Sequence, residues 1–346
     1  MPRATLSDLP APPPSKTGWP WTEASPPLPD LMPDGSPWPR VTIVTPSYNQ
    51  GEFIEETIRS VLLQGYPNLE YIIMDGGSTD DSVEIIRRYE PWLSHWVSQP
   101  DGGQARAVNR GWAMASGVIL AYLNSDDVYE PGCLGQVALT FHSDRALKIA
   151  FGDCRVVTGR GELIAIKRPG SWDRRMLLMG KSLPQPSVFI SREVFCHLGG
   201  FDESLDYALD WAYFLRVFWR YPPSSLGYIP SVLSRSREYD TTKSRTGLRR
   251  KADEWRRVLR DSFSQGIVVT DKRSEQAAWA ATYWLEGTDE FLAGHYWSAL
   301  RSAVVATRHA PWTVFQRLAK APWAVRQRLR IRHERHPHDR SRGQHA

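Results

Sequence analysis

The stretch from Val41 to Asp75 restricts the possible folds more than any other part of the chain. A short β-branched run, Val41 to Thr45, ends at Pro46, and a second apolar run, Leu69 to Met74, ends at Asp75-Gly-Gly. Between them GEFIEETIRSVLLQG sets Phe53, Ile54, Thr57, Ile58, Val61 and Leu62 at helical spacing until Gly65 stops the pattern. Strand, helix, strand is a βαβ unit, and both strands read as buried and parallel. The alternation continues. Ser78-Thr-Asp-Asp81 resembles a capping box with Asp in place of the usual Glu and opens SVEIIRRYE as a helix. His95 to Val97 predicts a short third strand and Ala105 to Ala115 a helix, while Val118 to Leu123 predicts a fourth strand running into Asn124-Ser-Asp-Asp127. The expected fold is α/β, an open and mostly parallel sheet flanked by helices, with ligands at the carboxyl ends of its strands.

The flanks have a different texture. Twelve of the first 39 residues are proline, too dense for helix or central strand, so residues 1–40 are expected to form an extended arm. Trp19, Trp21 and Trp38 interleave with those prolines and offer enough apolar area to hold part of the arm against the body. Residues 41–249 then form the α/β domain. Residues 250–346 form a helical extension with a basic tail, in which two helices are expected to meet around Gly287. The net charge of +5 is matched by residues 326–346 alone, which hold seven Arg against Glu334 and Asp339. A basic groove for nucleic acid is thereby excluded, because the charge belongs to an appendage. That tail and the helices before it suggest peripheral association with an anionic membrane surface. Cys133, Cys154 and Cys196 lie too far apart for a disulfide framework or a short-spaced zinc site and fit reduced thiols in a cytoplasm. No apolar leader and no run of 18 apolar residues occurs in the sequence.

Three acidic or glycine-rich clusters follow the apolar strands: Asp75-Gly-Gly-Ser-Thr-Asp80, Asp101-Gly-Gly-Gln104 and Asn124-Ser-Asp-Asp127. Each alone reads equally as a turn or a helix cap. Together, at successive strand ends of one parallel sheet, they converge on one crevice. Carboxylates gathered in this way repel one another unless a cation joins them. A hard divalent ion such as Mg²⁺ or Mn²⁺, completed by substrate phosphates, fits oxygen ligands of this kind.

The run VTIVTPSYNQGEFIEETIRSVLLQGYPNLEYIIMDGGSTDDSVEII resembles the opening of family 2 inverting glycosyltransferases with the GT-A fold. The likeness continues through GGQARAVNRGWAMASGVILAYLNSDDVYEPG and LGGFDESLDYALDWAYFLR, covering about residues 38–245. It implies that Pro46, Ser47, Tyr48 and Asn49, after the first strand, and Asp75, after the second, contact the base and ribose of a nucleotide. Gly76 stands where many relatives carry a second aspartate. Arg106 is implied near the nucleotide or diphosphate. Asn124, Ser125 and Asp126 occupy the place of the DxD element, so Asp126 is the implied metal ligand for Mn²⁺ or Mg²⁺, with Asp127 beside it as a sugar contact. Asp210, at a helix start, matches the catalytic carboxylate, although Leu209 replaces the acid that often precedes it. Asp202 and Glu203 read as turn formers on the acceptor side, and Trp211 as a sugar platform or a core residue. Arg237 and Lys243 are implied diphosphate contacts, and Tyr239 stands where a metal-ligating His often lies.

The resulting expectation is a cytoplasmic, metal-dependent, inverting glycosyltransferase. It would move a sugar from a nucleoside-diphosphate sugar to a hydroxyl on a saccharide or lipid-linked saccharide, in cell-surface polysaccharide or glycoconjugate synthesis. Two other readings stay open at this point. One is a non-catalytic nucleotide-sugar-binding or assembly protein, motivated by Gly76, Asn124 and Leu209. The other is a sugar nucleotidyltransferase, which normally carries a Gly-rich basic loop after the first strand, where this chain has Thr45-Pro-Ser-Tyr-Asn-Gln.

Overall fold

In the computed structural model, which describes residues 3–170, 172–239, 242–243 and 247–312, the sheet grows outward from β1 (Val41–Ser47), every residue of which is buried. β1 pairs in parallel with β2 (Leu69–Asp75) on one side and β4 (Ile119–Tyr122) on the other, and β3 (His95–Ser98) adds in parallel beyond β2. The crossovers are α1 (Ile54–Leu62), α2 (Ser82–Arg88) and α3 (Gln104–Met114). Side chains alternate between two cores as strand periodicity demands. Ile43, Tyr71, Ile73, Ile119 and Ala121 face one core, and Val44, Ile72, Met74, Leu120 and Tyr122 face the other.

Beyond β4 the sheet becomes mixed. β5 (Val128–Tyr129) and α4 (Cys133–Ser143) precede β6 (Ile149–Thr158), which makes a hairpin with β7 (Leu163–Lys167). β8 (Val188–Ser191) runs antiparallel to both β4 and β6, and β9 (Leu226–Glu238) lies parallel to β6 and antiparallel to β5. The strand order is β3-β2-β1-β4-β8-β6-β9-β5, with β7 attached to β6. The mostly parallel expectation thus describes the first half of the sheet, where short helical crossovers impose it, and not the second.

The remaining helices are α5 (Arg174–Leu178), α6 (Arg192–Leu198), α7 (Leu209–Arg220), α8 (Leu248–Ser264), α9 (Lys272–Leu292) and α10 (Tyr296–His309). Trp255 and Leu259 of α8 belong to the same core as α7, so this helix is built into the α/β body. α9 continues through Gly287 and ends ahead of Gly294, where the backbone turns with φ of 83°. The expected break at Gly287 is therefore corrected. That glycine serves a helix crossing, since a Cβ there would lie 3.2 Å from the Ser302 Cβ and 3.3 Å from the Ala299 carbonyl. The capping box is corrected too. Asp81 caps α2 without a side-chain hydrogen bond, while Asp80 accepts from the Ser82 amide and Ser78 turns back to Asp75.

The proline-rich arm has little regular structure, a single bridge joining Leu31 and Pro37. It lies against α1, α4 and β5 through the buried Trp19, Trp21, Met32 and Trp38, and Trp19 Nε1 donates to the Tyr129 carbonyl at 2.8 Å. All three cysteines are free thiols, Cys133 and Cys154 buried and Cys196 exposed.

Candidate active site

Register delivers the first part of the site. Ser47, Asp75 and Ser98 are neighbours across β1, β2 and β3 at their carboxyl ends. Asp75 is buried, and its carboxylate accepts from Ser98 Oγ at 2.7 Å, the Ser78 amide at 2.9 Å, the Gly77 amide at 3.1 Å and Ser78 Oγ. It thereby shapes the loop after β2. The loop after β1 is latched to it: the Asn49 amide donates to Ser78 Oγ, Asn49 Oδ1 accepts from the Thr79 amide, and the Gly51 amide donates to Asp80. Asn49 takes φ of 51°, a left-handed conformation that asparagine tolerates better than most residues. This leaves the Tyr48 ring 62% exposed above the strand ends, while Pro46 and Ser47 stay buried; the Ser47 hydroxyl has no partner among the described residues.

Gly76 has a local reason. A Cβ there would come within 3.3 Å of the Asp101 carboxylate, so an aspartate at 76 would press a second acid onto Asp101. Asp101 itself accepts from the Gly103 amide at 2.7 Å and starts the turn into α3.

Asn124, past the end of β4, is a hub. Its Oδ1 accepts from Gln104 Nε2 at 2.6 Å, and its Nδ2 lies 3.2 Å from both Asp127 Oδ2 and Gln185 Oε1. An aspartate there would lose both donated bonds and place its charge beside Asp127. Ser125 is buried and Asp126 is partly exposed. Asp126 Oδ2 accepts from the Tyr239 hydroxyl at 2.9 Å, and the Asp126 carbonyl accepts from Arg237 at 2.7 Å. Burial raises the Asp126 carboxyl above its ordinary value despite the Tyr239 bond. Asp127 is enclosed more fully. Burial, with the Asp126 charge adding, pushes it well up, while the Arg237 amide and Asn124 hold its carboxylate in place.

Arg237, on β9, ties these pieces together. Its guanidinium pairs with Glu56 of α1 at 2.7 Å and lies 5.0 Å over the Phe53 ring, and the same ring stands 5.0 Å from that of Tyr239. Arg106 of α3 forms an ion pair with Glu203 at 2.9 Å that joins α3 to the loop before α7, its guanidinium lying against Gly102. Lys243 Nζ reaches the Asp206 carbonyl at 3.4 Å.

Asp210 lies in the first turn of α7, where a carboxylate also favours the helix N-terminus. It keeps partial exposure, yet burial raises its carboxyl above the ordinary value, with Lys251 opposing. The buried Tyr122 phenol, at the end of β4, is raised mainly by its own burial and also by the charges of Asp210 and Asp127. Trp211 resolves as core: it stacks on Trp255 at 4.5 Å and donates to the Leu177 carbonyl.

Two residues escaped the sequence reading. Gln104 belongs to a cluster the sequence displays, but Gln185 carries no local signal. Glu254 of α8 accepts from the Asp206, Tyr207 and Ala208 amides at 2.9 to 3.1 Å, holding the segment that presents Asp210. No sequence spacing predicts that contact.

A strand-end crevice with acid loops on a half-parallel, half-mixed sheet is the architecture of a GT-A glycosyltransferase. The chain belongs to glycosyl transferase family 2, whose model matches residues 42–178. It is 33% identical over 184 residues to an uncharacterised glycosyltransferase of Mycobacterium tuberculosis, covering 52% of this chain and 69% of that one. It is also 31% identical over 186 residues to a chondroitin synthase of Pasteurella multocida, covering 52% of this chain but 19% of the synthase. Among solved structures, Staphylococcus aureus TarS with UDP-GlcNAc matches with a TM-score of 0.60 at 14% identity, over 80% of this chain and 82% of that one. A Pyrobaculum calidifontis mannosyltransferase with GDP-Man and Mn²⁺ matches with a TM-score of 0.53 at 19% identity, over 87% and 86% of the two chains. These two show the shared fold.

Proposed function

We propose that this glycosyltransferase is an inverting enzyme, with Asp210 as general base and the crevice bounded by residues 46–49, 75–76 and 124–127 as the donor site. The observation that supports the reading is the gathering of Ser47, Asp75 and the Asn124–Asp127 loop at the carboxyl ends of the parallel strands, with Arg237 bonded to both Asp126 and Asp127. The donor is a nucleoside-diphosphate sugar. The acceptor is a hydroxyl on a saccharide or lipid-linked saccharide at the cytoplasmic face of a membrane, in polysaccharide or glycoconjugate synthesis.

In the transfer, Asp210 takes the proton from the acceptor hydroxyl as its oxygen bonds to the anomeric carbon, and the bond from that carbon to the diphosphate breaks on the opposite face. A carboxyl raised by burial is a stronger base than an ordinary aspartate. Arg237, fixed by Glu56 and Phe53, holds the 124–127 loop in place, and Lys243 is the cation we assign to the departing diphosphate. No three acidic, His or Cys side chains converge as a metal cage among the described residues. The donors present are oxygens, the Asp126 carboxylate foremost, and such a set fits Mg²⁺ or Mn²⁺ completed by water and diphosphate rather than a preformed protein cage. Bound there, the ion would supply positive charge to the diphosphate.

Thermal shift with UDP, GDP and dTDP, each with and without Mn²⁺, tests the donor site. One nucleotide is expected to stabilise the chain in a metal-dependent way, by roughly 2.7 kcal/mol at about 100 times its Kd, and Asp126→Asn to abolish the metal dependence. A well-folded sample that responds to no nucleotide, or a shift that Asp126→Asn leaves untouched, overturns the assignment.

A further inference from the structure

α10 is buried along one side only. Ala299, Ser302, Ala306 and Ala310 face α9, at the i, i+3, i+7 and i+11 spacing of a single helical stripe. On the opposite side Trp297, Leu300 and Val304 repeat at i, i+3 and i+7 and are 86%, 54% and 44% exposed. Arg301 and Arg308 run along the edge of that outer stripe, both exposed. Tyr296 and Phe291 extend the apolar area around the turn, with ring centroids 5.6 Å apart. Six of the fourteen large apolar side chains exposed among the described residues fall within residues 291–312, so the exposure is concentrated rather than scattered.

Residues 291–312 contain no Asp or Glu and two cations, Arg301 and Arg308; the basic tail, 326–346, lies outside the described residues. The nearest preceding acid, Glu290, is already paired with Arg249 and His295. An apolar stripe with an exposed tryptophan, edged by arginines and free of acids, is complementary to an anionic lipid surface: the apolar side chains enter the acyl boundary while the cations meet the headgroups. It is a poor seat for this chain's own basic tail, which would bring further positive charge onto Arg301 and Arg308. No described helix is long and apolar enough to cross a membrane.

We propose that the outer face of α10, centred on Trp297, Leu300 and Val304, docks on the surface of an anionic lipid bilayer. The test is sedimentation of the full chain with vesicles of phosphatidylcholine alone and with about 30% phosphatidylserine, at low and high salt. The chain is expected to bind the anionic vesicles and to be released by salt. Trp297→Ala/Leu300→Ala/Val304→Ala is expected to weaken binding about tenfold or more while keeping the wild-type Tm. Arg301→Gln/Arg308→Gln should weaken it several-fold, and Trp297→Ser alone provides a milder change if the triple variant folds poorly. Equal binding to both vesicle types overturns the proposal. So does triple-variant binding equal to wild type, which would assign the affinity to the tail alone. A wild-type dimer in light scattering that the triple variant abolishes also overturns it, because the face would then belong to a second copy.

Discussion

Asp210 carries a conflict between stability and turnover. Its carboxyl is raised by burial, so the folded state holds the proton more tightly than the unfolded state does. Stability from such a group is fully present below the unfolded pKa and is lost as pH rises through the folded value, so at neutral pH the native enzyme carries the cost of a desolvated charge. Asp210→Asn removes that cost. We expect the variant to melt about 2 °C or more above the parent at neutral pH, with the gain shrinking to nothing in acid, while turnover falls about 10²- to 10⁴-fold. Melting curves across pH, beside initial rates, check both halves. A variant that is no more stable at neutral pH removes the burial argument, and one that keeps its turnover removes the base.

The approach to α7 is held by an element distant in sequence. Glu254 satisfies three successive backbone amides ahead of Asp210, bonds that a charged carboxylate acceptor makes stronger than neutral ones. Glu254→Ala is expected to cost about 1 to 3 kcal/mol of stability and to lower kcat more than it raises KM for the nucleotide sugar, since the base is misplaced while the donor side keeps its contacts. A chemical denaturation midpoint and a kcat against KM comparison read the two effects; an unchanged kcat denies α8 any part in placing the base. The same helix shows what the sequence left hidden. β1, α1 and β2 were legible because period-2 and period-3.6 apolar patterns report directly on local structure, and Asp75, Asp126 and Asp210 were singled out as candidates through a motif in register. Glu254 and Gln185 were not, because a single acid or amide has no periodicity and its partners are chosen by tertiary packing. Gly287 misled for a related reason: glycine stops a helix when its positive φ is needed, but here it serves the close approach of α10. The antiparallel half of the sheet was equally silent, since short strands such as β8 do not encode their neighbours.

At the scale of the whole molecule, the proline-rich arm is a structural strap across the α/β body. Arg59 of α1 is wholly buried, and its guanidinium donates to the carbonyls of Pro10, Pro20 and Trp21 and to the Tyr89 hydroxyl, which in turn donates to Glu55. The arm lacks regular backbone pairing, so these carbonyls find their donor in one side chain instead of a ladder. Gly65 adds a second close contact, since a Cβ there would lie 2.7 Å from the Pro26 carbonyl. Because α1 also presents Glu56 to Arg237, the strap and the donor side share a helix. Arg59→Met leaves three carbonyls without their donor and is expected to cost about 3 kcal/mol. Removing residues 1–24 takes away those same carbonyls, so the two changes must couple. In the truncated chain Arg59→Met should cost far less than in the full chain, as measured by denaturant midpoints on all four proteins. Equal costs in both backgrounds would mean that Arg59 acts within α1 alone and that the arm adds only apolar cover.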